Sequence, residues 1–404
     1  MSGASSIEWT DATWNPVRGC SRVSDGCRNC YAENVAARFS GPGRPFEGFA
    51  RHVITDAAPG EEKRDARWTG KVELIPSALD WPLRKHKPLR IFVNSMSDLF
   101  HEKLSNEAIA AVLGVMAACP QHTFQILTKR PERMREWFAW VAAKWPDIEP
   151  MHKEVAIDSN VVVDLPRGLC PRFDEWLGDN ENAFAQPWPL PNVWLGVSVE
   201  NQATADERIP LLLQTPAAKR FVSYEPALGP VDFVKHVRRS STHHVSMSVP
   251  GALRNRSFDG LCADDGRELS RLEAEATLRD LLARGVERIP STNCGAFDEK
   301  TGCKGHPNPS LDWLIVGGES GPGARPFDVA WARSTVEQCR AAGVAVFVKQ
   351  LGAQPFGLGT DLRPMRVSDH PRCQDDTFPL RPADSKGGDW SEWPEDLRVR
   401  EFPA

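Results

Sequence analysis

Arg90-Ile91-Phe92-Val93-Asn94-Ser95 is a short apolar run, rich in strand formers, that ends in small polar residues. The same form recurs at residues 123–129 (TFQILTK), 193–200 (VWLGVSVE), 220–225 (RFVSYE), 312–318 (DWLIVGG) and 344–350 (VAVFVKQ), and a first strand falls within 13–18. The intervals between these runs are long enough for helices, and that alternation predicts parallel βαβ units. Helices fit residues 106–118, with Ser105 as cap, residues 131–143, and residues 329–342, ended by Gly343. Six or seven strands in β-α-β-α order predict an α/β fold, a full or partial barrel. Polar residues sit at the C-terminal ends of the runs: Asn94, Lys129, Glu200, Glu225, Glu319 and Gln350. In parallel α/β folds ligands bind at that edge.

The chain of 404 residues has room for two or three domains, or for one barrel with insertions. With 41% hydrophobic and 25% charged residues it has a globular composition, which excludes collagen-like, low-complexity and wholly disordered classes. No apolar run approaches the roughly 18 residues of a membrane span, and the first residues lack a basic-then-apolar leader, so a cytoplasmic protein without a membrane partner is expected. A net charge of -5, from 49 basic and 54 acidic residues, excludes a surface that binds polyanions everywhere and leaves room for a local basic groove.

Three stretches break the rhythm. Residues 38–71, rich in Gly, Pro and Arg, predict a long loop. Residues 146–191 predict an insertion. Residues 236–310 hold four of the ten His and three of the ten Cys, with one helical segment at 266–284, and predict a second insertion or small subdomain. The barrel is thus expected over residues 1–353, followed by an irregular extension, residues 354–404, packed on it through its tryptophans.

Cys20, Cys27 and Cys30 lie within 11 residues, between the first strand and the first helix. In a reducing compartment such a cluster signals metal or redox chemistry, not disulfides. Structural zinc favours four closed ligands, whereas a [4Fe-4S] cluster held by three cysteines keeps one iron open to an outside ligand. A zinc knuckle completed by a distant His or Cys stays open as an alternative. Cys294, Cys303 and His306, with Cys262 upstream, form a candidate structural zinc site, although Cys-x8-Cys-x2-His matches no common zinc spacing.

The segment NPVRGC, Cys27 and CYAE resembles the cluster loop of radical S-adenosylmethionine enzymes, in particular the relatives of spore photoproduct lyase. Six residues separate the first two cysteines here, where that pattern has three. IEWTDATWNP, VNSMSDLFHE, ILTKRPERM, LGVSVENQ, SYEPALGPVD and IVGGESGPGARP resemble the phage gp-thirty-seven/gp-sixty-eight family, regarded as a divergent branch of the same enzymes. The resemblance runs from Ile7 to about Gly352, outside the two insertions, and implies a partial (β/α)6 TIM-like barrel with the cluster near strand one. It also implies bound S-adenosyl-L-methionine, and an electron donor such as flavodoxin or ferredoxin.

On that reading the strand ends line the cofactor pocket. Ser95, Ser97 and Asp98 stand where these enzymes carry a Gly-Gly-Glu turn for the methionine amino group, with Asp98 either taking the ammonium or capping the next helix. Lys129 and Arg130 suit a carboxylate or phosphate, or begin a solvated helix. Glu200 and Asn201 suit ribose hydroxyls. Glu225 and Glu319 follow the next two strands, the latter in a Gly-rich stretch that permits close backbone approach. No catalytic residue is assigned.

The leading expectation is an enzyme that generates a 5'-deoxyadenosyl radical and acts on a nucleic acid base or nucleotide, with Arg18, Arg22, Arg28, Lys129, Arg130 and Arg325 near the mouth. The rivals are a zinc- or iron-sulfur-binding interaction protein, and an acid/base barrel enzyme using Asp98, Glu200, Glu225 and Glu319.

Overall fold

A computed structural model describes residues 2–58, 61–144, 188–237, 297–298, 302–303, 310–357, 378–379 and 383–403. The chain divides into two compact units, Met1–Val237 with Leu311–Ala404, and Arg238–Ser310. Of the second, the two-residue strands Phe297–Asp298 and Gly302–Cys303 form an antiparallel pair. The expected helix at 266–284 and the expected insertion up to residue 187 lie outside the described residues.

The larger unit is built on one eight-stranded sheet. Its strands are β1 (Gly3–Ala4), β2 (Ala12–Trp14), β3 (Arg90–Val93), β4 (Thr123–Thr128), β5 (Val193–Ser198), β6 (Lys219–Tyr224), β7 (Trp313–Gly317) and β8 (Ala345–Gln350). Only β1 is antiparallel, and β2 to β8 run parallel in sequence order. Parallel neighbours need crossovers. Helices α1 (Tyr31–Arg38), α2 (Asn106–Ala117), α3 (Pro131–Lys144), α4 (Gln202–Gln214) and α5 (Val329–Ala342) supply most of them.

The helix signals explain the boundaries. Ser105 Oγ accepts from Ala108 N at 3.2 Å to start α2, and Asp328 Oδ1 from Ala330 N at 2.9 Å to start α5. Gly343, at φ 67°, ends α5 in the left-handed conformation that glycine adopts without penalty. Helix α4 carries a reciprocal cap between Asn201 and Thr204.

Because side chains alternate along a strand, the sheet has two apolar faces. Ile91, Val93, Ile126, Leu195, Val222, Leu314 and Val346 pack under the helices. Phe92, Trp194, Phe221, Trp313 and Phe347 point the other way and gather with Trp9. The fully buried Trp313 ring lies within 6.1 Å, centre to centre, of Trp9, Trp194, Phe221 and Phe347, so strands far apart in the sheet meet around one side chain. A Cβ on Gly196 would overlap the Phe221 ring, which explains the glycine mid-strand.

The sheet stays open, with no pair between β8 and the β1–β2 end. Residues near the C-terminus lie along the β8 edge: Val348 N donates to Val399 O at 2.9 Å and Glu401 N to Val346 O at 3.0 Å. Trp313 Nε1 donates to Glu401 O at 2.8 Å, and the Phe402 ring stacks 5.4 Å from Trp313. An edge covered in this way offers no ladder to a second chain.

The expected long loop at 38–71 is corrected by the structure. Strands Ala50–Ala58 and Glu61–Trp68 pair as an antiparallel hairpin, and Ala50 and Ala66 pack with Phe46 and Phe49 against Ala32, Ala36 and Ala37 of α1. Among the described residues no helix is long and apolar enough to cross a membrane.

Candidate metal centre

The cysteine loop rises from the C-terminal end of β2. Asn15 Oδ1 accepts from Ser95 Oγ at 3.2 Å and Met96 N at 3.0 Å, which ties the ends of β2 and β3 together. Gly19 follows at φ 88°, where a Cβ would overlap the Lys71 carbonyl, so the turn into Cys20 requires glycine. Cys27 closes a 3-10 turn at Asp25–Cys27, and Cys30 stands immediately before α1.

All three thiols are free and partly exposed. They lie within electrostatic reach of one another. Burial, the Asp98 carboxylate and the other two thiols push Cys20 up to about 12, against the opposing pull of Arg130. Burial likewise raises Cys30, and Lys129 opposes it. Three sulfur donors in one loop fit an iron–sulfur cluster with three protein ligands. The side chains as they stand do not close on one point: among the described residues no group of three His, Cys, Asp or Glu has metal-holding geometry. Cys294 and His306 lie outside the described residues, as does the Cys303 side chain.

The loop is held from four sides. Arg130, buried, donates from Nη2 to Ser21 O at 3.0 Å and Ser21 Oγ at 2.9 Å, and its Nη1 lies 3.9 Å from Cys20 Sγ. Its other bonds run to Asp98 Oδ2 at 3.0 Å and Glu102 Oε2 at 2.9 Å. His101 Nδ1 accepts from Lys103 N at 3.2 Å, which leaves Nε2–H to donate to Ser21 Oγ at 2.9 Å. Burial and Arg130 lower the His101 pKa, so the ring stays neutral in this role.

On the second side, Ser24 Oγ donates to Glu200 Oε1 at 2.8 Å, and Arg208 Nη1 donates to both Glu200 oxygens. On the third, Asn29 Nδ2 donates to Glu319 Oε2 at 3.0 Å, and Arg325 bridges Glu319 and Asp25 O. Burial raises the Glu319 carboxyl, but the Arg325 and Asn29 hydrogen bonds outweigh it and hold the group below its usual range. On the fourth, Arg22 pairs with the buried Glu33, which also accepts from Trp68 N at 2.7 Å.

Most of the candidate pocket residues are therefore engaged by the protein itself. Asp98 accepts from four donors, Phe100 N, Thr128 Oγ1, Lys129 N and Arg130 Nη1, and these occupy the lone pairs an ammonium would need. It caps the following turn and clamps β3 to β4. Ser95 Oγ donates to Asn15, Ser97 Oγ to Val17 O at 3.0 Å, and Asn201 caps α4. Glu200, Glu319 and Arg130 anchor the cysteine loop. Of the cations placed near the mouth, Arg18 donates to Pro45 O, and Arg22 and Arg325 are paired.

Two candidates keep an open side. Among the described residues the Lys129 ammonium has only a 3.8 Å contact to Glu200 Oε1, and it lies within electrostatic reach of Cys30. Glu225, partly exposed, is paired through Oε1 with Lys349 Nζ at 2.6 Å. Asn94, which the sequence places among the polar strand ends without assigning it a role, joins the site candidates. It is 3% exposed, adopts φ 62°, and neither its Oδ1 nor its Nδ2 has a partner. A buried amide with both ends unsatisfied costs a few kcal/mol unless a ligand or water meets it. The left-handed backbone is tolerated best by Asn among non-glycine residues, a signal readable only with dihedrals in hand.

The loop packs so closely on Glu200 that a Cβ on Gly26 would overlap the carboxylate. Gly26→Ala is expected to cost about 1–3 kcal/mol through overpacking and to loosen the loop, measured as faster alkylation of Cys27. An unchanged melting curve and alkylation rate would contradict this packing.

A family model described as a protein of unknown function (DUF5131) matches residues 4–366. No curated protein and no solved structure matches the chain.

Proposed function

We propose, for a chain that belongs to the DUF5131 family of proteins of unknown function, a radical S-adenosylmethionine-type iron–sulfur enzyme acting on a nucleic acid base or nucleotide. The observation that carries the reading is the loop itself: three free thiols grouped at the C-terminal edge of a parallel sheet and anchored by Arg130, Glu200, Glu319 and Glu33. Anchoring of this density suits a site whose ligands must keep their geometry. In the same proposal the open sheet, bent around Trp313, is a partial (β/α)6-type barrel, and a flavodoxin or ferredoxin in the cytoplasm supplies electrons.

Cys20, Cys27 and Cys30 would hold a [4Fe-4S] cluster. Such a cluster would supply the single electron that reductive cleavage of the S-adenosylmethionine carbon–sulfur bond requires. The chain's own residues orient and neutralise. Arg130 and Ser21 fix Cys20, Lys129 offers a cation for a carboxylate beside Cys30, and Asn94 offers a donor and an acceptor to the bound molecule. Glu225, held by Lys349, presents its other oxygen to hydroxyl or amine donors.

A second reading, a zinc-binding interaction protein without turnover, uses the same three thiols completed by a fourth donor. Anaerobic purification with iron and sulfide reconstitution separates the two. A brown protein absorbing near 400 nm with close to four irons per chain is expected. A colourless protein that retains zinc and takes up no iron would overturn the proposal in favour of the second reading.

A further inference from the structure

Several arginines beside the cysteine loop have no role within the protein. Arg28, Arg38, Arg44 and Arg51 are exposed, and none of their side chains has a hydrogen-bond or ion-pair partner among the described residues. Between residues 18 and 54 the chain has six arginines against Asp25, Glu33 and Glu47, whereas the whole protein carries a net charge of -5. Glu33 is buried and paired with Arg22, so it does not offset the exposed charge. The hairpin register places Arg51 directly opposite Arg67. Arg67 is itself paired with Asp65 at 3.3 Å, which leaves Arg51 as the unpaired side chain of the two.

The second feature is an aromatic ring. Tyr31, next to Cys30, is 55% exposed, yet its hydroxyl donates to Ser95 O at 2.6 Å. The bond fixes the ring, so a flat apolar surface is held in water beside the three thiols. Helix α1 buries Ala32, Glu33, Ala36 and Ala37, which leaves Tyr31, Asn34 and Arg38 on one exposed stripe at helical spacing. The stripe leads from the cysteine loop toward the helix end, and Arg44 and Arg51 follow it along the chain.

We infer that this strip docks a single-stranded nucleic acid, with phosphates along Arg38, Arg44 and Arg51 and one base stacked on Tyr31 beside the cysteine loop. Cations that follow a backbone, combined with a ring that stacks any base, are the elements of sequence-tolerant single-strand binding. A base within a duplex is stacked and cannot lie against the ring. The inference rests on the nucleic-acid part of the proposed function and specifies where the strand lies.

The test uses the full chain and a short fluorescent oligothymidylate, followed by anisotropy at increasing salt, with iron content measured on the same samples. Binding should weaken steadily with salt. Arg38→Gln and Arg51→Gln should each reduce the salt slope by roughly one. Tyr31→Leu should weaken binding roughly 5- to 150-fold, while Tyr31→Phe, which keeps the ring but not its bond to Ser95, should weaken it less. The two arginine variants, both on the surface, read out the strip even where Tyr31→Leu disturbs the loop. The inference is overturned by wild-type protein that does not bind at low salt, by variants with unchanged binding, or by equal or tighter binding of a duplex or of polyglutamate. Oligonucleotide binding by a protein that takes up no iron would sink the cluster proposal and keep this one; iron uptake without oligonucleotide binding would do the reverse.

Discussion

Asp98→Ala should lower the unfolding free energy by about 3–5 kcal/mol, because it leaves the buried Arg130 guanidinium without its buried countercharge. The same change removes the acceptor for Thr128 Oγ1 and the amides of Phe100 and Lys129. Glu102, whose side chain is 59% exposed, keeps one bond to Arg130, which places the loss toward the lower end of the range. Removing both charges together, as Asp98→Ala with Arg130→Met, should recover part of the stability, since no unpaired charge then stays buried. Denaturant melts of the two variants measure this. A loss below about 1 kcal/mol for the single change would mean that the pair contributes little.

The second large effect concerns the metal. Cys20→Ala, Cys27→Ala or Cys30→Ala should each abolish the visible absorbance and iron content of reconstituted protein. Cys119→Ala and Cys339→Ala should leave both intact, since these thiols are buried in or beside α2 and α5, in the apolar layer under the sheet. A full complement of iron in Cys27→Ala would contradict the ligand assignment.

The parallel strands could be read from the sequence because each carries its burial on both faces: RIFV, TFQILT and VWLGVS are apolar runs that only a covered sheet accommodates. The hairpin at 50–68 could not be read in this way. Its strands ARHVITDAA and EEKRDARW are largely polar, and it packs through Ala50, Ala66 and Trp68 against α1 and two phenylalanines. Helix α4 is not among the helices the apolar pattern predicts, although its start carries a reciprocal cap between Asn201 and Thr204.

The site was legible in its location and less so in its roles. Carboxylates at strand ends identified the edge, but whether each faces a ligand or an internal partner depends on residues far away in sequence. Glu200 meets Ser24, and Glu319 meets Asn29, across 176 and 290 residues. No local pattern encodes such pairings. The sequence puts Asn94 at a strand end but gives it no role, because only the absence of partners marks a buried amide.

The most direct measurement is S-adenosylmethionine turnover by anaerobically reconstituted, dithionite-reduced protein, with products separated by chromatography. The expected result is slow formation of 5'-deoxyadenosine and methionine without any added substrate, and its loss in Cys27→Ala. A cluster-replete, reduced sample that neither binds nor cleaves S-adenosylmethionine would contradict the radical mechanism.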